Sequence, residues 1–278
     1  MTARVAVPSR GRLRDDVMAL LDRAGYSTSK FRGASARVTM GDTEFIEMRP
    51  RDAAAWLAAG RVEGAFISSD IVLEEQLEHL AAIPLGVALS ELVVASRDDD
   101  GRTSVDELDG AVIATHMPRV TSAWLGARGV TATVVTMGGA LEGVCAAGMA
   151  DAIVDLRETG TSLSQNGLRV LATITKRQAL FVQRDGAGLE GMALRLRAAL
   201  DARQQRYVML HLPRTELDKL VSVFPGLAAP TVLPLAGRDD LVAVHLVVEA
   251  SSFWAHLGEI RAVGATGIVS VTPDALLR

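Results

Sequence analysis

The sequence is poor in cysteine, lysine, asparagine and aromatic residues, and each shortage narrows what the chain can be. Cys145 is the only cysteine, so no intrachain disulfide can form and the chain need not visit an oxidising compartment. No run approaches the ~18 uncharged apolar residues of a membrane span. The opening residues 1–16 lack an apolar signal segment, and the single asparagine, Asn166, lies outside any glycosylation sequon. These absences predict a cytoplasmic protein with no membrane contact. Only Lys30, Lys176 and Lys219 of the 29 basic residues are lysines; with the abundant alanine this reads as coding bias, so arginine abundance alone does not signal phosphate. The formal net charge of −4 supplies no global attraction for nucleic acid, and none is expected as a partner. Neither GxxxxGK[ST] nor GxGxxG occurs, which disfavours an ordinary kinase or dehydrogenase. His79, His211, His245 and His256 lack metal-ligand spacing; His116 follows a strand and could face a cleft, but a lone histidine is more often structural or at the surface.

What remains is a chain of 278 residues, 49% hydrophobic and 22% charged, enough for two or three compact units with their own cores. Strand and helix patterns alternate. Residues 4–9 read as a strand, and Leu13, Val17, Leu20, Leu21 and Ala24 follow at helical spacing. Residues 36–40 and 44–50 flank Gly41-Asp42 as a hairpin; 51–60 reads as a helix closed by Gly60, and 65–68 as a buried strand. Past the polar stretch 98–104 the βα rhythm restarts: strands at 111–116, 131–137 and 150–156, helices at 119–127 and 140–147. Residues 168–185 read as a strand pair leading back to the first lobe, and 189–205 as an amphipathic connecting helix. The last 74 residues follow βαββαβ order, the ferredoxin-like arrangement. It presents a half-exposed sheet suited to self-pairing or to a small effector. The expected class is α/β, with lobe I at 1–90 plus 172–204, lobe II at 91–171, and a regulatory or assembly domain at 205–278.

The most informative stretch runs from Met149 to Gly167. An apolar strand ends in Asp155, a turn of Glu158, Thr159, Gly160, Thr161 and Ser162 follows, and a helix can begin near Leu163. Backbone N–H groups at such a turn converge on an anion, hydroxyls add donors, and glycine permits close approach. Asp155 can accept from ribose hydroxyls. The same residues equally suit a plain helix cap.

The pattern D-A-I-V-D-L-x-x-T-G-x-[ST]-L-x-x-N-G-L, preceded by Gly139-Ala-Leu-Glu142, closely resembles the phosphoribosyl-diphosphate segment of the ATP phosphoribosyltransferases. The resemblance extends to residues 5–13, 49–52, 113–118 and 229–237, and it is to the long form with a C-terminal regulatory domain. It implies a two-lobed, periplasmic-binding-protein-like catalytic core in which N1 of ATP attacks C1 of 5-phosphoribosyl 1-diphosphate with Mg2+, giving N1-(5-phosphoribosyl)-ATP and diphosphate. Thr159, Gly160, Thr161 and Ser162 would hold the 5'-phosphate. Asp155 and Glu142 would face the ribose or Mg2+, with Asp155 as a metal ligand. Arg10, Arg12 and Arg49 would neutralise phosphate charge, although each also reads as a solvated surface charge, and Asp70 would help place ATP. Histidine as an inhibitor, and dimers building hexamers, are further family traits.

Three departures stand out against the family. Ala65 to Asp70 replaces a glycine-rich run, so that Ala65 and Ser68 would narrow the nucleotide site; Met117 stands where an aromatic residue is usual; Glu158 places a negative charge in the phosphate turn. Two further readings stay open: a paralogue making the same intermediate for a purine-derived metabolite, and a non-catalytic two-lobe binding protein.

Overall fold

A computed structural model describes residues 2–32, 36–224, 227 and 229–277. The chain divides into two compact units, Met1–Ala19 with Ser27–Glu190, and Leu20–Tyr26 with Gly191–Arg278. The expected first unit opens as β1 (Ala3–Pro8) and α1 (Arg12–Arg23), and the hairpin at Gly41-Asp42 forms as β2 (Arg37–Met40) and β3 (Thr43–Met48). α2 (Pro50–Ala58), β4 (Gly64–Ser68), α3 (Ser69–Glu74) and β5 (Ala81–Pro84) follow.

The first sheet has the order β2-β3-β1-β4-β11-β5, where β11 is Ala179–Gln183. The second has the order β10-β6-β9-β7-β8. Its members are β6 (Ser90–Arg97), β7 (Val112–Thr115), β8 (Thr133–Thr136), β9 (Ala152–Arg157) and β10 (Leu168–Arg177). Both sheets repeat one plan: three parallel strands, then an antiparallel strand that arrives from the other lobe. β11 runs antiparallel to β4, and β6 antiparallel to β9. The strand pair read at 168–185 is therefore two strands of different sheets, β10 pairing with β6 and β11 with β4 and β5. The chain crosses between lobes twice, side by side: Leu85 N–H donates to Ala179 O at 3.0 Å, and Ala179 N–H to Val87 O at 2.9 Å.

One apolar core runs across the lobe junction. Ala53, Leu57, Ile67 and Val72 from the first lobe join Leu92, Val94, Ile113, Met117, Leu125 and Val154 from the second. Polar contacts reinforce it. α4 (Pro118–Gly126) begins against the first lobe, where the buried Glu74 accepts from Arg119 N–H at 3.1 Å and Val120 N–H at 3.0 Å. A carboxylate placed on the orphan N–H groups of a helix start, at the positive end of its dipole, is doubly favourable. The far face of the second sheet is covered by α5 (Leu141–Ala146) and α6 (Thr161–Gln165), whose core includes Cys145. Cys145 is fully buried and burial pushes its thiol up, as expected of a small hydrophobe.

In the other unit, α7 (Glu190–Ala202) precedes β12 (Gln205–Pro213), α8 (Leu217–Val223), β13 (Thr231–Leu235), β14 (Arg238–Glu249), α9 (Ala250–Ala262) and β15 (Thr266–Val271). All neighbours in the order β13-β14-β12-β15 are antiparallel, which is the ferredoxin-like plan read from the sequence. Val208, Leu210 and Leu212 on β12, with Val242, Val244, Leu246 and Val248 on β14, form a core with Leu220, Phe224, Phe253 and Ile260. The alternate positions leave the other face more open: Tyr207 and His245 meet there (Oη to Nδ1 2.8 Å), and Val269 and Val271 are exposed.

Replacing Glu74 by Ala strips two helix-start N–H groups of their acceptor. We expect it to lower stability by about 2 kcal/mol, read as a fall of about 5 °C in Tm; an unchanged melting curve contradicts this role.

Candidate active site

The parallel strands of the second sheet end together, and side chains following their carboxyl ends converge there, as is general for open α/β sheets. β7 delivers His116, the chain after β8 delivers Glu142 on α5, and β9 delivers Asp155 with the turn beyond it. Burial along β9 is complete through Val154, and Asp155 is half-buried. The turn then emerges, with Glu158, Thr159, Thr161 and Ser162 exposed. Gly160 has φ +82°, a conformation glycine accepts without strain. α6 starts at Thr161, two residues before the expected Leu163, so Thr161 and Ser162 form its first turn. α5 starts after Ala140 at φ +57°, a strained backbone for alanine, of the kind that clusters at functional sites.

These groups touch one another. Ser162 Oγ donates to Glu142 Oε1 at 2.5 Å, the Thr159 and Thr161 hydroxyls lie 3.0 Å apart, and Glu158 pairs with Arg12 of the first lobe at 3.0 Å. Leu156 N–H donates to Asp155 Oδ1 at 2.7 Å, and His116 Nδ1 lies 3.6 Å from the same oxygen. Asp155's carboxyl lies above its ordinary value, first because burial disfavours its charge; the Leu156 N–H and His116 act against that, and Glu142 adds to it. Asp151, at the other end of the same strand, behaves oppositely. The Val112 N–H is the main cause holding its carboxyl down, and Arg102 assists. One acid is satisfied and structural; the other is held in tension.

The structure thus gathers Asp155, Glu142, Glu158, Thr159, Gly160, Thr161, Ser162 and Arg12. Arg10 and Arg49 are exposed, and their side chains make no hydrogen bond or ion pair with other described residues. Asp70 stands apart: it is 1% exposed and its carboxylate accepts from Arg177 Nε at 3.0 Å, while Arg177 Nη1 donates to Ser90 Oγ at 3.0 Å. That triad braces the lobe crossing. Ala65 and Ser68 are buried within β4, and Met117 is buried in the junction core. Sequence reasoning weighed His116 as able to face the cleft but favoured a structural role, and it passed over Arg51, which donates across the lobes to the His116 carbonyl. The position of His116 directly after β7, the strand beside β9, was the available signal.

Because the folded state disfavours the charge on Asp155, the group costs stability where it is ionised and nothing where it is protonated in both states. The cost is absent below the ordinary carboxylate value of 3.8 and grows as pH rises through the folded value. Asp155→Asn should therefore raise Tm at about pH 7.5, with the gain vanishing near about pH 3; a lower Tm at neutral pH contradicts the tension.

Comparison with known proteins agrees with this geometry. The family model for ATP phosphoribosyltransferase matches residues 49–199, and that for the HisG C-terminal domain matches residues 202–272. The chain is 32% identical over 289 residues to the ATP phosphoribosyltransferase of Gemmatimonas aurantiaca, covering 99% of both. It is 34% identical over 275 residues to that of Halobacterium salinarum, covering 96% of both. Among solved structures, a chain of the ATP phosphoribosyl transferase (HisG:HisZ) complex from Thermotoga maritima aligns at 26% identity and TM-score 0.62, covering 70% of this chain and 96% of that one. The two-lobed, periplasmic-binding-protein-like core followed by a C-terminal regulatory-type domain is thus the fold. The chain belongs to the ATP phosphoribosyltransferase family, the pentosyltransferases that open histidine biosynthesis.

Proposed function

We propose that this chain joins ATP to 5-phosphoribosyl 1-diphosphate, and that the cluster built on Asp155 does the work. The observation that carries this is one half-buried carboxylate, Asp155, whose Oδ1 accepts from Leu156 N–H while Oδ2 accepts no hydrogen bond from a described residue, set at the head of an exposed, hydroxyl-lined turn. N1 of adenine attacks C1 of the sugar as the C1–oxygen bond to diphosphate breaks, and positive charge develops on the sugar. A preorganised carboxylate beside that charge stabilises it. The Thr159–Ser162 turn holds the 5'-phosphate through hydroxyls and the N–H groups that begin α6, and closure of the lobes places the nucleophile in line. Arg10, Arg12 and Arg49 take phosphate oxygens. No protein nucleophile is needed.

Mg2+ fits this donor set: no cluster of three metal-ligating side chains exists among the described residues, and Mg2+ characteristically takes one or two carboxylates plus substrate phosphates. Asp155 and Glu142 are the residues that would hold it, and bound there it supplies charge neutralisation for the departing diphosphate. On the same footing we assign catalysis to the two lobes that carry the first and second sheets. Residues 205–278 are assigned to assembly and to inhibition by histidine, with the open sheet face as the surface for self-association. No helix among the described residues is long and apolar enough to cross a membrane, in keeping with a cytoplasmic enzyme.

Incubation with ATP, phosphoribosyl diphosphate and Mg2+ should yield the ribosylated nucleotide by mass spectrometry. Asp155→Ala should lower kcat by about 100-fold, whereas Thr161→Val should mainly raise KM for phosphoribosyl diphosphate, by about fivefold. Silence of the native protein with substrate binding intact favours a non-catalytic binder, and unchanged kinetics in both variants contradicts the site. Size-exclusion of the same preparation should show an oligomer; a monomer overturns the assembly role.

A further inference from the structure

We propose that His116 is a positioning residue for Asp155, held in place from the opposite lobe by Arg51. The inference rests on the reading of Asp155 above and adds to it a residue and a cause. The backbone on either side of His116 is pinned. Thr115 is buried, its hydroxyl donates to Val154 O on β9 at 2.9 Å, and it accepts from Met117 N–H at 2.9 Å. Met117 is 2% exposed in the junction core, and Pro118 begins α4. With both neighbours turned inward, the His116 side chain stands 3.6 Å from Asp155 Oδ1.

That separation is too long for a hydrogen bond and short enough for an ion pair. The imidazole is the side chain that faces Asp155 Oδ1, beside the Leu156 N–H. On the remaining flanks, β6 offers Val93 opposite Asp155, and Arg157, two residues on, is engaged by Glu91. The ring and the Leu156 N–H together fix Oδ1, which leaves Oδ2 as the free acceptor.

Arg51 ties the His116 turn to the first lobe. It sits on α2, donates to the His116 carbonyl, and reaches Met117 Sδ at 3.5 Å, beside the apolar core that both lobes share.

The test is steady-state kinetics on the full chain, with folding checked by melting curves. His116→Ala should lower kcat about tenfold and leave KM for ATP within about twofold. His116→Asn, whose amide nitrogen occupies the place of Nδ1, should recover most of that loss. In an Asp155→Ala background, His116→Ala should have no further effect, because the carboxylate it positions is gone. Equal losses for Asn and Ala, or losses that multiply with Asp155→Ala, overturn the positioning role while leaving the site reading intact. Full turnover in Asp155→Ala alone overturns the site reading, and the proposal with it.

Discussion

Everything at this site follows from holding Asp155 half-buried beside Glu142. Burial disfavours the charge on Asp155, Glu142 adds to this as a smaller cause, and the folded chain bears the cost as lost stability. The structure does not relieve it with an arginine, as it does for Asp151, Asp70 and Glu91. It supplies one backbone N–H, one imidazole at ion-pair distance, and an open side. In the proposed reaction the positive charge that answers this acid is the one that develops on the sugar, so that its cost in the folded chain becomes transition-state stabilisation.

The lobes must be joined firmly enough to place two substrates and loosely enough to admit them. The observed contacts divide accordingly. Near the crossing, Asp70, Arg177 and Ser90 form a buried brace, Glu74 caps α4, and apolar side chains from both lobes make a single core. At the mouth, Arg12 and Glu158 pair with most of their surface in water, a contact worth ~0–1 kcal/mol. Such a latch yields to an incoming phosphate, whereas losing one partner of the buried brace costs ~3–5 kcal/mol. The negative charge of Glu158 in the phosphate turn is thus answered by an arginine of the facing lobe.

Much of this was legible in the sequence, for identifiable reasons. β12 and β14 bury one face only, so their alternation announced a sheet with an open side. The Asp155 turn was legible because its chemistry is local: strand end, carboxylate, glycine and hydroxyls in consecutive order. β6 went unread because it is buried on both faces, and a continuous apolar run carries no period that separates strand from helix. β10 and β11 read as partners because one residue, Gln178, divides them; their separation into different sheets is decided by contacts with β6 and β4. His116, Arg51 and the Asp70–Arg177 brace are tertiary in the same sense. No spacing in the chain puts residues 51 and 116, or 70 and 177, together.

The most direct measurement of the central claim is a crystal structure of the chain soaked with phosphoribosyl diphosphate and Mg2+. The account predicts the 5'-phosphate seated on Thr159–Ser162 and the ribose over Asp155 Oδ2. A phosphate bound elsewhere, or a ribose with no contact to Asp155, contradicts it.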